Sequence, residues 1–573
     1  MTVGGEHAPS PRRAVVRARW PAPLSAACAT AVMAAAASRP WGLGALALVA
    51  YAPTFVVLTR VERPLHGAVV AATASLGLGS VAYEAAQGVF PAGHVVATLL
   101  AAVPYLPVGG LAVRLRLTLA RRLPPASAAA LTLLALPSVW SAAEWLPSRP
   151  ELLGAFALPL GFIGYSQVDL PTAKVASFGS VAAVSHLVLL VNAGVAAGLL
   201  ASAAVARRRS GAGAVATGHG SGAASSPSNR RLTGSRAYQV RRCGRAALWV
   251  AAVLVLTPAL AGEQPSAGSG SVELGLAGLP PGAGPVVAET VGVPMAASPS
   301  SPRLVVELLQ PDLPDAAYFA ASRLPGARGW LVGRLAASAS GDADLTVLPE
   351  AAWPGALDAD DLAAVAAELS AAFGDSATLL LGAPAVGFAG GRALTNSAFL
   401  FDRGEVTHVY AKRRLVPVAE SRFVAGDGPA VVTVAGVPFA VFVCYDALFP
   451  GDARAAAMAG ARLLVVITDD AFAAGSDVPE LHLRAARFRA METGVPLVLA
   501  ANTGPSAVVE PSGRVVARPP ALQAGALRAE VVPGEGATAY LALGDWLGAL
   551  NAIFTGGLAA ALSRGGFSHK GPA

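Results

Sequence analysis

Three residues of this sequence carry side chains that together could perform nucleophilic chemistry on a carbonyl group. Glu350 follows the segment Leu-Thr-Val-Leu-Pro, Lys412 follows Val-Thr-His-Val-Tyr-Ala, and Cys444 follows Phe-Ala-Val-Phe-Val. A thiol attacks a carbonyl as its thiolate, so it needs a base and a positively charged neighbour. Glu350 is the candidate base and Lys412 the candidate cation for the thiolate and the tetrahedral oxyanion. The backbone N–H of Tyr445 is a second candidate donor to that oxyanion.

Each of these residues taken alone also has an ordinary structural explanation. Cys444 could be a small buried apolar residue, Lys412 a solvated strand end, and Glu350 the cap of a turn. Lysine is rare here, however, with three lysines among 42 basic residues, and arginine could not replace a compact donor with an adjustable pKa. The chemistry needs no histidine, so His408 and His482 are assigned to structure. No metal and no cofactor are expected.

The segments around these residues predict an α/β layered domain between about 303 and 530. Short β-branched segments alternate there with Ala-rich helical ones. We predict strands at Leu304–Leu309, Leu345–Leu348, Thr378–Gly382, Ser397–Phe401, Val406–Tyr410, Val431–Val434, Phe439–Val443, Leu463–Thr468, Pro496–Ala500 and Ala507–Val509. We predict helices near 326–339, 358–373, 451–459 and 478–493. The candidate residues therefore follow strands, where side chains project into one crevice beyond the sheet edge.

The composition of the chain predicts a membrane protein. Of its 573 residues, 54% are hydrophobic and 13% are charged, whereas about 25% are charged in an ordinary soluble domain. The apolar residues form long blocks, as membrane spans require. We predict eight spans, at about 22–38, 41–59, 66–87, 93–113, 127–146, 177–205, 246–262 and 535–562. Segment 151–167 is also apolar but is interrupted by Gly and Pro, which favours a re-entrant or interfacial loop.

Arginine placement predicts the orientation of these spans. With a cytoplasmic N-terminus, the arginines cluster in the inside segments, as the positive-inside rule requires. Those segments are 1–21, 60–65, 114–126, 206–245 and the tail after 562. The large segment 263–534 is then exported, where an unpaired Cys444 must be reactive or selected against. This topology accounts for the net charge of +7, so no nucleic-acid partner is expected.

These patterns divide the chain into consecutive parts. Residues 1–262 form a membrane domain of about seven helices, in which 206–245 is a flexible, basic cytoplasmic linker. A tether at 263–300 leads to a catalytic domain at 301–534, and 535–573 holds a final span and a cytoplasmic tail.

The Glu–Lys–Cys set resembles the nitrilase, or carbon–nitrogen hydrolase, superfamily. Further motifs narrow the resemblance to the apolipoprotein N-acyltransferase family. The soluble half carries Tyr-Ala-Lys-Arg-Arg-Leu-Val-Pro-Val-Ala-Glu at 410–420, Val-Cys-Tyr-Asp at 443–446 and Ala-Asn-Thr-Gly-Pro-Ser-Ala-Val-Val-Glu-Pro-Ser-Gly-Arg at 501–514. The apolar half carries Val-Trp-Ser-Ala-Ala-Glu-Trp-Leu at 139–146, Gly-Tyr-Ser-Gln at 164–167 and Leu-Val-Asn-Ala at 190–193. Ala-Tyr-Leu-Ala-Leu-Gly-Asp-Trp at 539–546 resembles the family's lead-in to the last span.

The resemblance implies a fold, a reaction and a location. The fold is a multi-span helical membrane domain plus an extracytoplasmic α/β sandwich of αββα layers. The reaction is transfer of an acyl chain from a phospholipid, through a thioester on Cys444, to the N-terminal amine of a diacylglyceryl-modified apolipoprotein. The enzyme is then expected to be a monomer in the cytoplasmic membrane. Two alternatives remain open: a membrane-tethered amidase that uses water as the second nucleophile, and a non-catalytic membrane scaffold.

The resemblance also implies supporting site residues and shows departures from the family pattern. Glu420 is expected to orient Lys412 or the incoming amine, the alternative being a loop ion pair with Arg413 or Arg414. Tyr445 and Asp446 are the other implied site residues. Leu448, Phe449 and Phe472 are candidates for the apolar lining of a site that opens at the membrane surface. Three positions depart from the family: Asp446 replaces a glutamate, Val-Ala-Glu at 418–420 replaces Phe-Gly-Glu, and Asp-Asp-Ala-Phe-Ala at 469–473 has lost aromatic residues.

Overall fold

The first half of the chain is a bundle of apolar helices. The computed structural model describes residues 21–84, 86, 92–216, 286–292, 302–313, 327–337, 339–388, 392–473 and 476–564. The helices of this half are α1 (Pro21–Ser38), α2 (Ala47–Ala50), α3 (Ala52–Leu58), α4 (Pro64–Ala82), α5 (Gly93–Ala102), α6 (Tyr105–Ala120), α7 (Pro125–Trp145), α8 (Pro150–Leu153) and α9 (Ala176–Ala216). Residues between α8 and α9 form short 3-10 turns, so segment 151–167, which we predicted to be a re-entrant or interfacial loop, contains no long helix.

Six helical stretches among the described residues are long and apolar enough to cross a membrane. They are Pro21–Ser38, Pro64–Ala82, Gly93–Ala120, Pro125–Ser148, Pro171–Ala206 and Trp546–Arg564. Each overlaps a predicted span. The chain is therefore a membrane protein. The predicted span 246–262 and most of the predicted linker 206–245 lie outside the described residues.

The predicted span 41–59 is a broken helix rather than a continuous one. Its apolar stretch, Gly44–Leu58, is shorter than the six spans. Asn192 of α9 holds the break: its Oδ1 accepts from the backbone N–H groups of Tyr51 at 2.7 Å and Ala52 at 3.0 Å. Its Nδ2 donates to the carbonyl of Ala47 at 2.8 Å. Backbone groups in a bilayer must be satisfied within the protein, and this amide satisfies the ones that the break frees.

The second half is a sandwich of two sheets. Within the described residues, one sheet has seven strands in the order β1-β13-β2-β3-β4-β5-β6 and the other has six in the order β12-β11-β10-β9-β8-β7. The strands are β1 (Val286–Gly292), β2 (Leu304–Gln310), β3 (Leu345–Val347), β4 (Thr378–Val386), β5 (Leu394–Asp402), β6 (Glu405–Ala411), β7 (Val431–Val434), β8 (Val437–Val443), β9 (Leu463–Thr468), β10 (Leu497–Ala501), β11 (Ala507–Val509), β12 (Val515–Ala517) and β13 (Gly525–Val531).

Strand and helix positions agree with the sequence prediction except at three strands, β1, β12 and β13. Each predicted strand corresponds to one of β2 to β11. The short strand β12 and the strand β13 were not predicted, and β1 lies in the segment expected to be a tether, where it pairs in parallel with β13. The helices of this half are α10 (Ala327–Ala336), α11 (Leu362–Phe373), α12 (Pro450–Met458) and α13 (Val478–Thr493). Two more follow the sandwich, α14 (Ala539–Leu543) and α15 (Trp546–Arg564).

Three layers of buried apolar residues hold the sandwich together. The central layer joins the facing sides of the two sheets and includes Val306, Val347, Phe439 and Val465. One outer layer packs α10 and α11 on the first sheet, and the other packs α12 and α13 on the second. This is the αββα arrangement that the family resemblance implied. Burial of these alternating side chains supplies most of the driving force for the fold.

Helix α13 joins the two halves. Arg484 donates to the carbonyl of Ser38 at the end of α1 at 2.9 Å. Glu492 accepts from the backbone N–H of Val181 in α9 at 2.9 Å. Phe488 lies in an apolar cluster with residues of both halves, among them Phe162, Tyr165, Val181, Leu448 and Phe449. The sandwich is thus docked on the membrane helices through buried contacts.

Candidate active site

Glu350 and Lys412 form a buried ion pair beyond the ends of two strands of the first sheet. Glu350 lies just beyond β3, and Lys412 follows directly after β6. The Nζ atom of Lys412 donates to Oε1 of Glu350 and to Oε1 of Glu420, each at 3.0 Å. Lys412 is 1% exposed and Glu350 is 6% exposed. The expected contact between Glu420 and Lys412 is present, whereas Arg413 and Arg414 instead form ion pairs with Asp452.

Two further donors fix the carboxylate of Glu350. Nδ2 of Asn396 donates to Oε1 of Glu350 at 2.7 Å and to Oε1 of Glu420 at 2.9 Å. The backbone N–H of Asp469 donates to Oε2 of Glu350 at 2.9 Å. Sequence reasoning missed Asn396, although the polar triplet Thr395–Ser397 inside the apolar strand β5 was a usable signal. Because donors occupy both oxygens, the carboxylate has one well-defined orientation toward the site.

Cys444 begins a 3-10 turn, Cys444–Leu448, that we call the cysteine turn. The residue follows β8 directly and has a φ of 49°, in the left-handed region that side chains other than glycine rarely adopt. Burial and then the negative charge of Glu350 raise the pKa of the Cys444 thiol, while the charge of Lys412 lowers it, and the net direction is upward. The resting thiol is therefore protonated at neutral pH and needs a base.

Lys412 keeps its charge in this buried position. Burial alone lowers the pKa of Lys412, but the interactions with Cys444 in its thiolate form and with the charges of Glu350, Glu420 and Asp446 together raise that pKa above its ordinary value. A permanently charged ammonium beside Cys444 favours the thiolate and any oxyanion that forms there. The structure thus brings the predicted base, cation and thiol into one electrostatically coupled group.

Asp446 holds the cysteine turn in place. Its carboxylate accepts from the hydroxyl of Tyr410 at 2.9 Å, the backbone N–H of Arg414 at 2.6 Å and the backbone N–H of Val443 at 3.0 Å. Burial raises the pKa of Asp446 to about 6 despite these donors and the charge of Lys412. The Asp446 carboxylate therefore ties the cysteine turn to the segment that follows Lys412, so we assign Asp446 a supporting position rather than contact with the reacting atoms.

Three of the other predicted site residues, Tyr445, Leu448 and Phe449, connect the cysteine turn to the membrane half. The hydroxyl of Tyr445 donates to the carbonyl of Ala157 at 3.0 Å, and Ala157 belongs to the predicted interfacial loop. Leu448 and Phe449 are buried in the apolar cluster between the halves. Phe472 lies apart from them, just beyond β9, with half of its surface exposed. Leu448 and Phe449 are thus packed into the joint between the halves.

His482 of α13 lies against the cysteine turn, which the sequence interpretation did not anticipate. Its Nε2 is 3.1 Å from the carbonyl oxygen of Cys444, and its Nδ1 is 3.1 Å from Oδ2 of Asp470. The sequence gave little indication of a role for His482 in the site, because a histidine within a helix is usually structural. Ligand atoms of Cys444, Asp470 and His482 lie within 4.8 Å of one another. A metal ion bound there would have to displace the hydrogen bonds that both ring nitrogens of His482 make.

A separate apolar cavity lies within the membrane half. Its volume is about 880 Å³, and it runs between α4, α6, α7 and α15. Leu152 and Leu153 line one part of it and Arg114 another. Leu152 and Leu153 precede Ala157, which accepts a hydrogen bond from Tyr445, so the segment that lines this cavity leads directly to the loop in contact with the cysteine turn.

Comparison with known proteins agrees with this arrangement of two halves. Residues 30–194 match the family model described as the apolipoprotein N-acyltransferase N-terminal domain, and residues 313–539 match the model described as carbon-nitrogen hydrolase. The chain belongs to the apolipoprotein N-acyltransferase family. The carbon-nitrogen hydrolase match covers only the sandwich half of the chain, whereas the match to the N-terminal domain covers the membrane half.

Curated relatives carry the same family name. An apolipoprotein N-acyltransferase of Geobacter metallireducens is 33% identical over 234 residues, which cover 36% of this chain and 44% of the relative. One from Bradyrhizobium diazoefficiens is 32% identical over 280 residues, which cover 42% of this chain and 50% of the relative. The matched part of the chain therefore spans half or less of these relatives.

Solved structures of the superfamily also align with part of the chain. An amidase from Nesterenkonia sp. is 26% identical, with a TM-score of 0.29, over 40% of this chain and 91% of that one. Saccharomyces cerevisiae Nit3, described as a member of branch 10 of the nitrilase superfamily, is 20% identical, with a TM-score of 0.34, over 42% of this chain and 93% of that one.

Proposed function

We propose that this protein transfers an acyl chain from a membrane phospholipid to the N-terminal amine of a diacylglyceryl-cysteine lipoprotein, through a thioester on Cys444. One observation carries the proposal: the Glu350–Lys412–Cys444 group lies beside a cysteine turn that is packed directly on membrane helices. The hydrogen bond from Tyr445 to Ala157 and the burial of Leu448 and Phe449 make that contact. An enzyme that takes both substrates from a bilayer needs its nucleophile at the bilayer surface.

The first half-reaction would make the acyl-enzyme. Glu350 takes the proton from the thiol of Cys444, and the sulfur attacks the ester carbonyl of the phospholipid. Lys412 and the backbone N–H of Tyr445 stabilise the oxyanion. The ester C–O bond then breaks, Glu350 returns the proton to the leaving alcohol, and lysophospholipid departs. The locked orientation of the Glu350 carboxylate supports this use of one group as base and then acid.

The second half-reaction would discharge the thioester. The amine of the lipoprotein attacks the thioester carbonyl, and Glu350 takes a proton from the attacking nitrogen. The C–S bond breaks, and the thiolate of Cys444 recovers the proton. Acyl chains of the lipid substrates would lie in the apolar space of the membrane half, where each buried CH₂ contributes about 0.8 kcal/mol to binding.

The distribution of arginines supports a location in the cytoplasmic membrane with the catalytic half outside. Arg39 and Arg149 lie on the side of the bundle that contacts the sandwich, and each pairs with acidic residues, Asp477 and Asp545 respectively. The connections on the opposite side, between α3 and α4 and between α6 and α7, carry Arg60, Arg63, Arg121 and Arg122. Excess arginine on one side marks the cytoplasmic face.

The experiment that tests this function follows Cys444 by intact mass. Purified protein incubated with phospholipid alone should gain one acyl chain on Cys444 and release lysophospholipid in a single burst. Addition of a diacylglyceryl-cysteine peptide should then remove the acyl chain and acylate the peptide. The Cys444→Ala and Cys444→Ser variants are the controls, since neither can form the thioester. Continuous release of free fatty acid or ammonia without a peptide would instead establish a hydrolase.

A further inference from the structure

Helix α13 holds the cysteine turn at both ends. Nε2 of His482 lies 3.1 Å from the carbonyl oxygen of Cys444. Seven residues later, Nη1 of Arg489 donates to the carbonyl of Leu448, the last residue of the turn, at 2.7 Å. Residues seven apart lie on one face of a helix. One face of α13 therefore brackets the turn that carries the nucleophile.

The surroundings of His482 require a proton on both of its ring nitrogens. Nε2 faces the carbonyl oxygen of Cys444, and Nδ1 faces a carboxylate oxygen of Asp470. A carbonyl and an ionised carboxylate can only accept hydrogen bonds, so both nitrogens must donate. The hydroxyl of Thr468, 3.4 Å from Nδ1, can accept or donate and does not change this conclusion. His482 and Asp470 are both buried, at 6% and 3% exposure, where an ionised carboxylate is stable only with a charged partner.

The electrostatics of the site agree with a charged ring. Burial lowers the pKa of His482, but the charge and hydrogen bond of Asp470, the carbonyl of Cys444 and the charge of Glu350 outweigh burial and raise it. The raised pKa favours the imidazolium form, in which both ring nitrogens donate as their two acceptors require.

The peptide bond between Cys444 and Tyr445 links His482 to the reaction. Its carbonyl belongs to Cys444 and its N–H to Tyr445, and in a trans peptide these two groups point in opposite directions. A donor that fixes the carbonyl on one side therefore aims the N–H to the other side. That N–H is the candidate oxyanion donor. A cation on the carbonyl also polarises the peptide and makes its N–H a stronger donor.

We infer that His482, held as an imidazolium by Asp470, is a positioning residue for acyl transfer, and that it aims the N–H of Tyr445 at the oxyanion formed on the acyl group at Cys444. The inference deepens the proposed function and rests on it, because it assigns a role to a residue behind the same nucleophile. His482 also counters the strain of the left-handed backbone at Cys444 by anchoring the carbonyl of that residue.

The test compares two reactions of Cys444 in the full-length protein. Acylation by a p-nitrophenyl ester passes through an oxyanion, whereas alkylation by iodoacetamide does not. We expect His482→Leu to lower the rate of the p-nitrophenol burst about 100-fold, with the alkylation rate within threefold of wild type. The burst of His482→Gln should be about tenfold faster than that of His482→Leu, because the glutamine amide can still donate to the Cys444 carbonyl. His408→Gln, at a half-buried histidine on β6, is the matched control and should change neither rate.

Two results would overturn the inference. One is a burst rate in His482→Leu equal to wild type. The other is an equal loss of acylation and alkylation in both His482 variants, which would show that the residue only maintains the fold. The activated ester keeps this test separate from the proposed function: if the ester acylates Cys444 but phospholipid does not, the proposed function fails while the role of His482 is still measured.

Discussion

At the scale of single residues, one carboxylate organises the candidate site. Glu350 contacts Lys412, Asn396 and the backbone of Asp469, and its charge also acts on the thiol of Cys444. The same charge that makes Glu350 a base also disfavours the thiolate. In the resting site the proton is therefore on the sulfur of Cys444 and the negative charge is on the carboxylate of Glu350. The proton moves to Glu350 only when substrate is bound.

Replacement of Glu350 by glutamine should separate thiol ionisation from catalysis. The charge of Glu350 raises the pKa of Cys444, so its removal should lower that pKa and shift the pH midpoint of iodoacetamide alkylation to lower pH. Acyl transfer should nevertheless fall by about 100-fold or more, because the base is lost. The matched control is Glu420→Gln, since Glu420 raises the pKa less than Glu350 does. A midpoint that moved to higher pH in Glu350→Gln would contradict this account.

Replacement of Lys412 by arginine should inactivate the protein although it keeps the charge. The ammonium makes two hydrogen bonds of 3.0 Å, to Glu350 and Glu420, in a site where it is 1% exposed. A planar guanidinium cannot occupy that volume with the same contacts. We expect the burst of lysophospholipid to slow by about 100-fold. Lys174→Arg, at a lysine in a different part of the described chain, should leave the burst unchanged, and near wild-type activity of Lys412→Arg would refute the role of Lys412.

The sequence pointed to the candidate reacting groups more readily than to the residues that contact them. Glu350, Lys412 and Cys444 stand out because each has a reactive side chain directly after an apolar strand. Asn396 and His482 have no such signature. Their importance comes from contacts with residues 46 and 38 positions away in the chain, and such pairings depend on tertiary packing rather than on local pattern.

At the scale of elements, strand ends and helix breaks decide where the site forms. The parallel strands β8, β9 and β10 end at one edge of the second sheet, which brings Cys444 and Asp470 together. Strand existence could be read from β-branched segments, but β1 could not, because its partner β13 lies more than 200 residues later and its surroundings are rich in Gly and Pro. The break in the predicted span 41–59 could not be read from the sequence either, because the side chain that hydrogen-bonds the backbone at the break, Asn192, belongs to a different helix.

Two adjacent glycines of α6 should respond oppositely to alanine. A Cβ at Gly109 would lie 1.9 Å from the carbonyl oxygen of Gly67 in α4, a backbone atom that cannot move aside alone. A Cβ at Gly110 would meet only the carbonyl oxygen of Pro64, at 3.7 Å. We expect Gly109→Ala to destabilise the bundle by about 1–3 kcal/mol or more, and Gly110→Ala to be tolerated.

The melting temperatures of both glycine variants in detergent would check this difference. Gly110→Ala serves as the matched control, because it makes the same chemical change one position along the same helix. Equal melting temperatures for the two variants would show that the close contact between α4 and α6 contributes nothing to stability.

At the scale of the whole molecule, the joint between the halves is charged as well as apolar. Arg489 and Glu492 form a buried ion pair, and Glu492 also accepts the N–H of Val181 beside the kink at Gly179 and Ser180 in α9. Breaking such a pair by removing one partner leaves an uncompensated buried charge. The hydrogen bond of Glu492 to Val181 therefore ties the sandwich to the membrane helices, and the ion pair with Arg489 compensates the buried charge of Glu492.

Membrane topology follows from these contacts between the halves and is the last prediction. All contacts described between α13 and the membrane half lie at one end of the bundle, at the end of α1 and near the kink in α9. The connection between α6 and α7 must then lie on the opposite face of the membrane.

A cysteine introduced at Arg122 should react with membrane-impermeant maleimide only after the cells are permeabilised. One introduced at Asp360, which is exposed on the sandwich, should react in intact cells whose outer barrier has been opened. The control is the parent chain with Cys28 and Cys243 replaced by alanine, which reports any labelling of Cys444 itself. Labelling of both positions from the same side would contradict the arginine-based orientation and remove the main support for an extracytoplasmic site.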